Sequence, residues 1–250
     1  MFHVPPHPAC IQKSGENKTE IVCPYCCIGK RKFEEGLKKF EHRDSVDIVY
    51  RSFELDPHMA INVNDDIYGL SAKKFRSMRA HMKAVHDDIT KRAELDGLTF
   101  HYDTAIHTNT FNAQRLLHYS VQFGKTNELL ERLYKACFTD SLHIGDVNTL
   151  VAIALEVGLD VAETKAMLES EQYAAEVRAD ELKAQKLGIR GVPYFVINGK
   201  YATSGAQKKE VFTEALEQAW AEEHSIVQFR STVGDKEAPA CLDGSCAVEH

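Results

Sequence analysis

Cys23-Pro24-Tyr25-Cys26, followed at once by Ile28, Gly29, Lys30, Arg31, Lys32 and Phe33, narrows the folds open to this chain more than any other segment. Two cysteines spaced by two residues open an amphipathic helix whose apolar stripe continues through Phe33, Leu37 and Phe40. A helix N-terminus presents N–H groups without intrahelical acceptors and roughly +0.5 of an elementary charge, so it favours a thiolate at the first cysteine. Cys23 is therefore the candidate nucleophile. Cys26, one turn further, is placed to attack a mixed disulfide formed on Cys23 and so release the bound partner. Pro24 suits the first helical turn, where its missing N–H costs no hydrogen bond.

The same cysteine spacing is half of a zinc site, so a second segment matters. Gly188-Ile189-Arg190-Gly191-Val192-Pro193-Tyr194-Phe195-Val196-Ile197-Asn198-Gly199-Lys200-Tyr201 reads as a glycine-ended helix, a Val-Pro step and a hairpin turning on Asn198-Gly199. A proline opening an apolar strand beside the thiols is expected to be cis. Its missing N–H marks a strand edge left free for an extended substrate.

Taken in order, these segments resemble the DsbA-type thioredoxin superfamily, and within it the cytoplasmic FrnE-like branch. The branch's words stand here as Arg51-Ser52-Phe53-Glu54-Leu55-Asp56-Pro57, Asn109-Thr110, Ala113-Gln114-Arg115-Leu116 and Ser204-Gly205-Ala206-Gln207. The resemblance runs from about Ile21 to about Glu223. It implies an α/β, thioredoxin-like fold with a large all-helical insertion. It also implies thiol–disulfide oxidoreductase or isomerase activity, with Cys23 attacking, Cys26 resolving, and Val192 and Pro193 facing them as the cis-proline, substrate-binding element. The partners it implies are protein or small-molecule thiols and disulfides. No bound cofactor is expected; glutathione or a thioredoxin-type protein is the candidate reductant, and a homodimer is compatible. Related folds act as glutathione-dependent isomerases or transferases, such as 2-hydroxychromene-2-carboxylate isomerase and the kappa-class transferases, which use a serine where this chain has Cys23. That is one alternative reading; a redox-regulated chaperone or a zinc-binding protein is another.

The organisation expected from the sequence is an irregular N-terminal arm over 1–20 and a thioredoxin-like domain in two halves, 21–58 and 181–224. A helical insertion over 59–180 separates the halves, and a mobile, cysteine-containing tail over 225–250 follows them. Residues 12–20 read QKSGENKTE, which leaves only Ile21 and Val22 of a buried strand. In the insertion, Ser71 is a plausible cap, with Phe75, Met78, Met82, Val85 and Ile89 on one stripe after it, and Asp160 with Glu163 opens a later helix.

At 250 residues with 44% hydrophobic content the chain can bury a full core, and a formal charge of −7 argues against a nucleic-acid or anionic-membrane binder. No apolar run reaches the ~18 residues of a membrane span, and Met1-Phe2-His3-Val4-Pro5-Pro6 has no secretory pattern, so the expected compartment is the cytoplasm. Cys241 and Cys246 are candidates for an auxiliary dithiol that exchanges with Cys23 and Cys26, against an idle surface pair. Joining both pairs around zinc is a third arrangement, though no metal site is expected. Cys27 and Cys137 read as packing thiols, Cys10 as exposed, and Lys30-Arg31-Lys32 as a solvated helix face.

Overall fold

The computed structural model of the chain describes residues 13–224. A four-stranded sheet in the order β2-β1-β3-β4 is built from β1 (Lys13–Thr19), β2 (Val46–Ser52), β3 (Tyr194–Ile197) and β4 (Tyr201–Ser204). β1 runs parallel to β2 and antiparallel to β3, and β3 is antiparallel to β4. Helix α1 (Pro24–Lys39) joins β1 to β2. Between β2 and β3 lie α2 (Ile67–Phe75), α3 (Arg79–Glu94), α4 (Phe111–Ser120), α5 (Thr126–Phe138), α6 (Val147–Glu156), α7 (Val161–Leu168) and α8 (Ala174–Lys186). Helix α9 (Lys209–His224) closes the described chain.

The expectation of an irregular arm over 1–20 fails at β1, which is the central strand rather than part of an arm. Pairing on both sides satisfies its backbone, and that tertiary context overrides a poor strand propensity. Its alternation is in size and charge instead of apolarity. Gly15 lies against Phe33 of α1 and Thr19 against Tyr134 of α5. On the other face Glu16 accepts from Lys183 of α8, and Glu20 accepts from Thr110 and from Gln114 of α4. Lys18, also on that face, is buried in the field of Asp180. Period-2 segregation therefore survives, with ions where a strand usually carries valines.

One side of the sheet is sealed by aromatic packing between α1, β3 and α9. Phe33 stacks on Phe195 at 5.6 Å and meets Phe212 edge-on at 5.5 Å. Two glycines let α1 approach closely: a Cβ on Gly36 would come within 2.6 Å of the Lys209 carbonyl, and one on Gly29 within 2.9 Å of the Pro193 ring. The opposite side carries α8 and α4. Beyond it the insertion packs around the fully buried Leu116, Leu129, Leu133, Ile144, Leu150 and Ile153, in one continuous core with Ile21, Cys23, Cys26 and Ile28 at the thiol end.

The α2–α3 region also departs from expectation. Asp66, not Ser71, caps α2, its Oδ1 accepting from the Gly69 N–H at 2.7 Å. The chain then breaks at Arg76 in a left-handed conformation (φ 51°) before α3 starts. The stripe from Phe75 to Ile89 is thus divided between two helices, leaving Phe75 and Met78 at 63% and 75% exposed. Other termini follow their sequence signals: Asp160 caps α7 through the Glu163 N–H at 2.8 Å, and Asn198 and Gly199 take the positive φ values (54° and 66°) that a tight hairpin needs. The 180/181 boundary falls inside α8.

Candidate active site

Cys23 is the N-cap of α1, with extended backbone angles and Pro24 directly after it. The first turn closes on it: the Cys26 and Cys27 N–H groups donate to the Cys23 carbonyl at 3.0 and 3.3 Å. Its Sγ donates to the Val192 carbonyl at 3.7 Å, across 169 residues of sequence. The Val192–Pro193 peptide is cis, and Gly29 lets α1 sit against the proline ring. The free strand edge expected at Pro193 is narrower than the sequence suggests. β3 is an interior strand, and the Pro193 carbonyl already accepts from the Gly205 N–H at 2.8 Å. From the cis-proline loop, it is the Val192 carbonyl that meets Cys23.

Cys23 and Cys26 are both free thiols, 4% and 0% exposed. Burial, reinforced by the adjacent Cys23, pushes the Cys26 thiol well up; hydrogen bonding from the Glu20 main chain and the Thr19 side chain pulls the other way. Thr19 Oγ1 lies 2.5 Å from the Tyr134 hydroxyl. Glu20, 1% exposed, is pushed up to about 7 by its burial, against hydrogen bonds from the Leu55 and Ile21 N–H groups and the Thr110 hydroxyl at 3.0, 2.6 and 3.1 Å. These three side chains were out of reach of sequence reasoning. Thr19 and Glu20 fell in the supposed arm, and Tyr134 was one apolar-face residue among several. The only available signal for Glu20 was an acid immediately before Ile21, three residues ahead of Cys23.

Cys23 opens onto a cleft of about 970 Å³ between the sheet end and α2–α3, with Tyr25, Leu55, Ile67, Leu70 and Met82 among its walls. A second cleft of about 560 Å³ is bordered by Ile28, Lys32, Leu95 and Ala206. Tyr25 and Val192 border both clefts, and Cys23 borders the larger one.

Other residues singled out from the sequence lie elsewhere. Arg115 is 3% exposed and donates to the carbonyls of Met167 (2.9 Å), Leu168 (3.3 Å) and Gln172 (2.8 Å), closing the end of α7 rather than facing the thiols. Asn109 donates from its side chain to the Met59 carbonyl at 3.0 Å and holds the loop before α4. Lys30 is not solvated: it is 2% exposed and bound to Glu34 and Glu131 at 2.6 and 2.9 Å, because α5 packs on that face of α1. Burial raises Cys27, and burial with the Glu20 carboxylate pushes Cys137 up to about 12, which suits packing thiols. Cys10, Cys241 and Cys246 lie outside the described residues.

A Cys-x-x-Cys at the head of α1, a cis-proline loop opposite it and a helical block inserted before β3 define a thioredoxin-like protein of the DsbA type. The chain belongs to the DSBA-like thioredoxin domain family, matched over residues 19–217. It is 30% identical over 204 residues to the uncharacterised protein YwbO of Bacillus subtilis strain 168, covering 79% of this chain and 92% of YwbO. It is 38% identical to a probable DsbA oxidoreductase, SCO1869 of Streptomyces coelicolor, whose crystal structure superposes with a TM-score of 0.80 over 95% of this chain and all (100%) of the other. A structure of 2-hydroxychromene-2-carboxylate isomerase shares the fold at 12% identity, with a TM-score of 0.65 over 84% of this chain and 97% of the isomerase.

Proposed function

We propose that this chain is a thiol–disulfide oxidoreductase that works by dithiol exchange between Cys23 and Cys26. The observation that carries the reading is the placement of Cys23 at the N-cap of α1 and on the wall of the larger cleft, its Sγ turned to the carbonyl of Val192, a residue that borders both clefts. A disulfide entering there meets a sulfur at the positive end of a helix, and the Val192 main chain can hold the segment that carries it. Cys23 thiolate attacks one sulfur, the other leaves as a thiolate, and a mixed disulfide remains on Cys23. Cys26 then gives up its proton and attacks the Cys23 sulfur, the second thiol leaves, and the Cys23–Cys26 disulfide is formed. The reverse sequence reduces the enzyme and oxidises a dithiol. Kinship with a probable DsbA oxidoreductase at 38% identity supports the same class of chemistry. Protein or small-molecule disulfides are the proposed substrates, glutathione or a thioredoxin-type protein the proposed redox partner, and the cytoplasm the proposed compartment.

The isomerase or transferase reading draws on the shared fold and on a cleft large enough for a small molecule. The cysteine pair favours dithiol exchange over it. The deciding experiment is an equilibrium titration of the protein against reduced and oxidised glutathione, with thiol trapping and mass spectrometry to identify the paired cysteines. A reversible Cys23–Cys26 disulfide establishes the oxidoreductase and gives its direction. Absence of that couple, together with glutathione-dependent turnover of a small aromatic substrate by the Cys26→Ser variant, overturns it.

A further inference from the structure

The larger cleft, which Cys23 borders, is walled mainly in apolar carbon. Val22 comes from the turn before the thiols, Leu55 from the segment after β2, Ile67 and Leu70 from α2, and Met82 and Ile89 from α3. Its volume of about 970 Å³ lies at the upper end of the range in which a protein surrounds a small molecule, about 300–1,000 Å³. An extended polypeptide has less to hold it here. β3, which follows the proline, is already flanked by β1 and β4.

A cleft so lined takes its specificity from the few polar groups in its wall. Three of the buried ones are engaged within the protein: Glu20 accepts from the Leu55 N–H and the Thr110 hydroxyl at 3.0 and 3.1 Å, and Thr108 donates to the Ile61 carbonyl at 2.7 Å. His86 and Tyr102, which line the same wall, are not fully engaged. His86 is 7% exposed, and its Nδ1 lies 2.7 Å from the Met82 carbonyl, which can only accept. Nδ1 therefore carries the proton, and the neutral ring keeps Nε2 as an acceptor with no partner among the described residues. Tyr102 is 5% exposed, and its buried hydroxyl also has no partner among the described residues. Such groups are rare in folded proteins, because each costs stability unless something binds it. The two rings pack edge-on with centroids 4.6 Å apart, Tyr68 lying against His86 at 5.5 Å and Phe100 against Tyr102 at 5.8 Å. An acceptor and a donor are thus held side by side in an apolar wall.

We propose that the larger cleft binds a small, largely apolar molecule through a hydroxyl group, which donates to His86 Nε2 and accepts from the Tyr102 hydroxyl. The inference rests on the dithiol reading above and narrows it: the substrate class is a small hydroxylated disulfide, R–S–S–R, presented to Cys23. The Cys23 thiolate bonds to one sulfur, the S–S bond breaks, and the other half leaves as a thiolate. Cys26 then loses its proton and displaces the second half from Cys23. The two released thiolates take up the two protons that the cysteines lost, and the substrate disulfide gains the two electrons that the cysteine pair gives up. His86 and Tyr102 exchange no proton with the reacting sulfurs; they decide which molecule stays in the cleft.

The test mixes the reduced protein with excess bis(para-hydroxyphenyl) disulfide and follows release of the aryl thiol in a single turnover, with mass spectrometry to identify the Cys23–Cys26 disulfide. The wild-type rate is expected to saturate with disulfide concentration. Bis(para-methoxyphenyl) disulfide supplies similar electron density to its sulfurs but has no proton to donate. It is expected to need roughly five-fold more for half-saturation, the worth of one neutral hydrogen bond. His86→Leu is expected to abolish that discrimination. Tyr102→Phe is expected to raise half-saturation roughly five-fold for both disulfides. Because the hydroxyl it removes has no partner within the described residues, its urea midpoint without ligand stays at or above the wild-type value, and this variant decides the matter if His86→Leu does not fold. A rate that rises linearly with concentration, equal half-saturation for the two disulfides in the wild type, or an unchanged half-saturation in Tyr102→Phe overturns the proposal. A wild type that forms no Cys23–Cys26 disulfide with either reagent or with oxidised glutathione overturns the dithiol reading instead.

Discussion

Replacing Lys18 with methionine is expected to stabilise this protein. Lys18 is the penultimate residue of the central strand, 0% exposed, and among the described residues its Nζ has no hydrogen-bond partner. The carboxylate that acts on it most strongly, Asp180, is already engaged, by the Ser52 N–H at 2.9 Å, by His118 at 3.3 Å and by Arg51 at 3.5 Å. Arg51 and Lys183 add like charge, and burial lowers the Lys18 pKa. An unsatisfied buried polar group costs about 1–3 kcal/mol, and more when charged, while methionine keeps the buried stem and removes the amine. The expected gain is about 2–4 kcal/mol, seen as a higher urea midpoint at unchanged m-value or roughly 5–10 °C in Tm. The sign with pH is fixed by the lowered pKa. Above its folded-state pKa Lys18 is neutral in the fold yet still binds a proton when unfolded. Wild-type stability therefore gains from this residue as pH rises toward the unfolded value of about 10.4, and the variant lacks that slope. Loss of stability in Lys18→Met, or a wild-type pH dependence it fails to flatten, refutes the reasoning.

Three further outcomes are expected. Cys26→Ser retains attack at Cys23 but cannot resolve, so incubation with oxidised glutathione leaves a stable mixed disulfide by mass spectrometry, whereas Cys23→Ser forms none. Glu20, raised to about 7 in the fold, contributes stability that is complete below its unfolded pKa and is lost as pH rises through about 7. The effect amounts to roughly 3 kcal/mol, so denaturation midpoints fall between about pH 4.5 and 7 and Glu20→Gln flattens that decline. Gly29→Ala drives a methyl to 2.9 Å from the Pro193 ring; about 1–3 kcal/mol of stability is lost, and thiol exchange slows as the Val192 loop moves off Cys23, measurable by calorimetry and disulfide-reduction rates.

What the sequence reveals here is whatever obeys a local rule. The thiol helix shows itself by its proline and its Phe33–Leu37–Phe40 stripe, the hairpin by Asn198-Gly199, and α7 by its capping Asp160. β1 escapes because apolarity is the usual mark of a central strand, and its segregation is of charged Glu16, Lys18 and Glu20 against small Gly15, Asn17 and Thr19. The break between α2 and α3 hides under apolar spacing that stays in phase across Arg76. The Thr19–Tyr134 contact spans 115 residues, and no local pattern in either segment points to the other.

A polar central strand also has a consequence for the order in which the chain can come together. The slot that β1 fills lies between β2 and β3, and β3 begins only at Tyr194, after the whole helical block. Until that hairpin exists, half of the slot's hydrogen-bonding partners are missing. An apolar strand in that position would spend the interval as an aggregation hazard, seeking any free edge. KSGENKT can wait in water at no such risk. The thiols tethered to its end are drawn under the Val192 loop only when almost all of the described chain is present, so their reactivity is completed last.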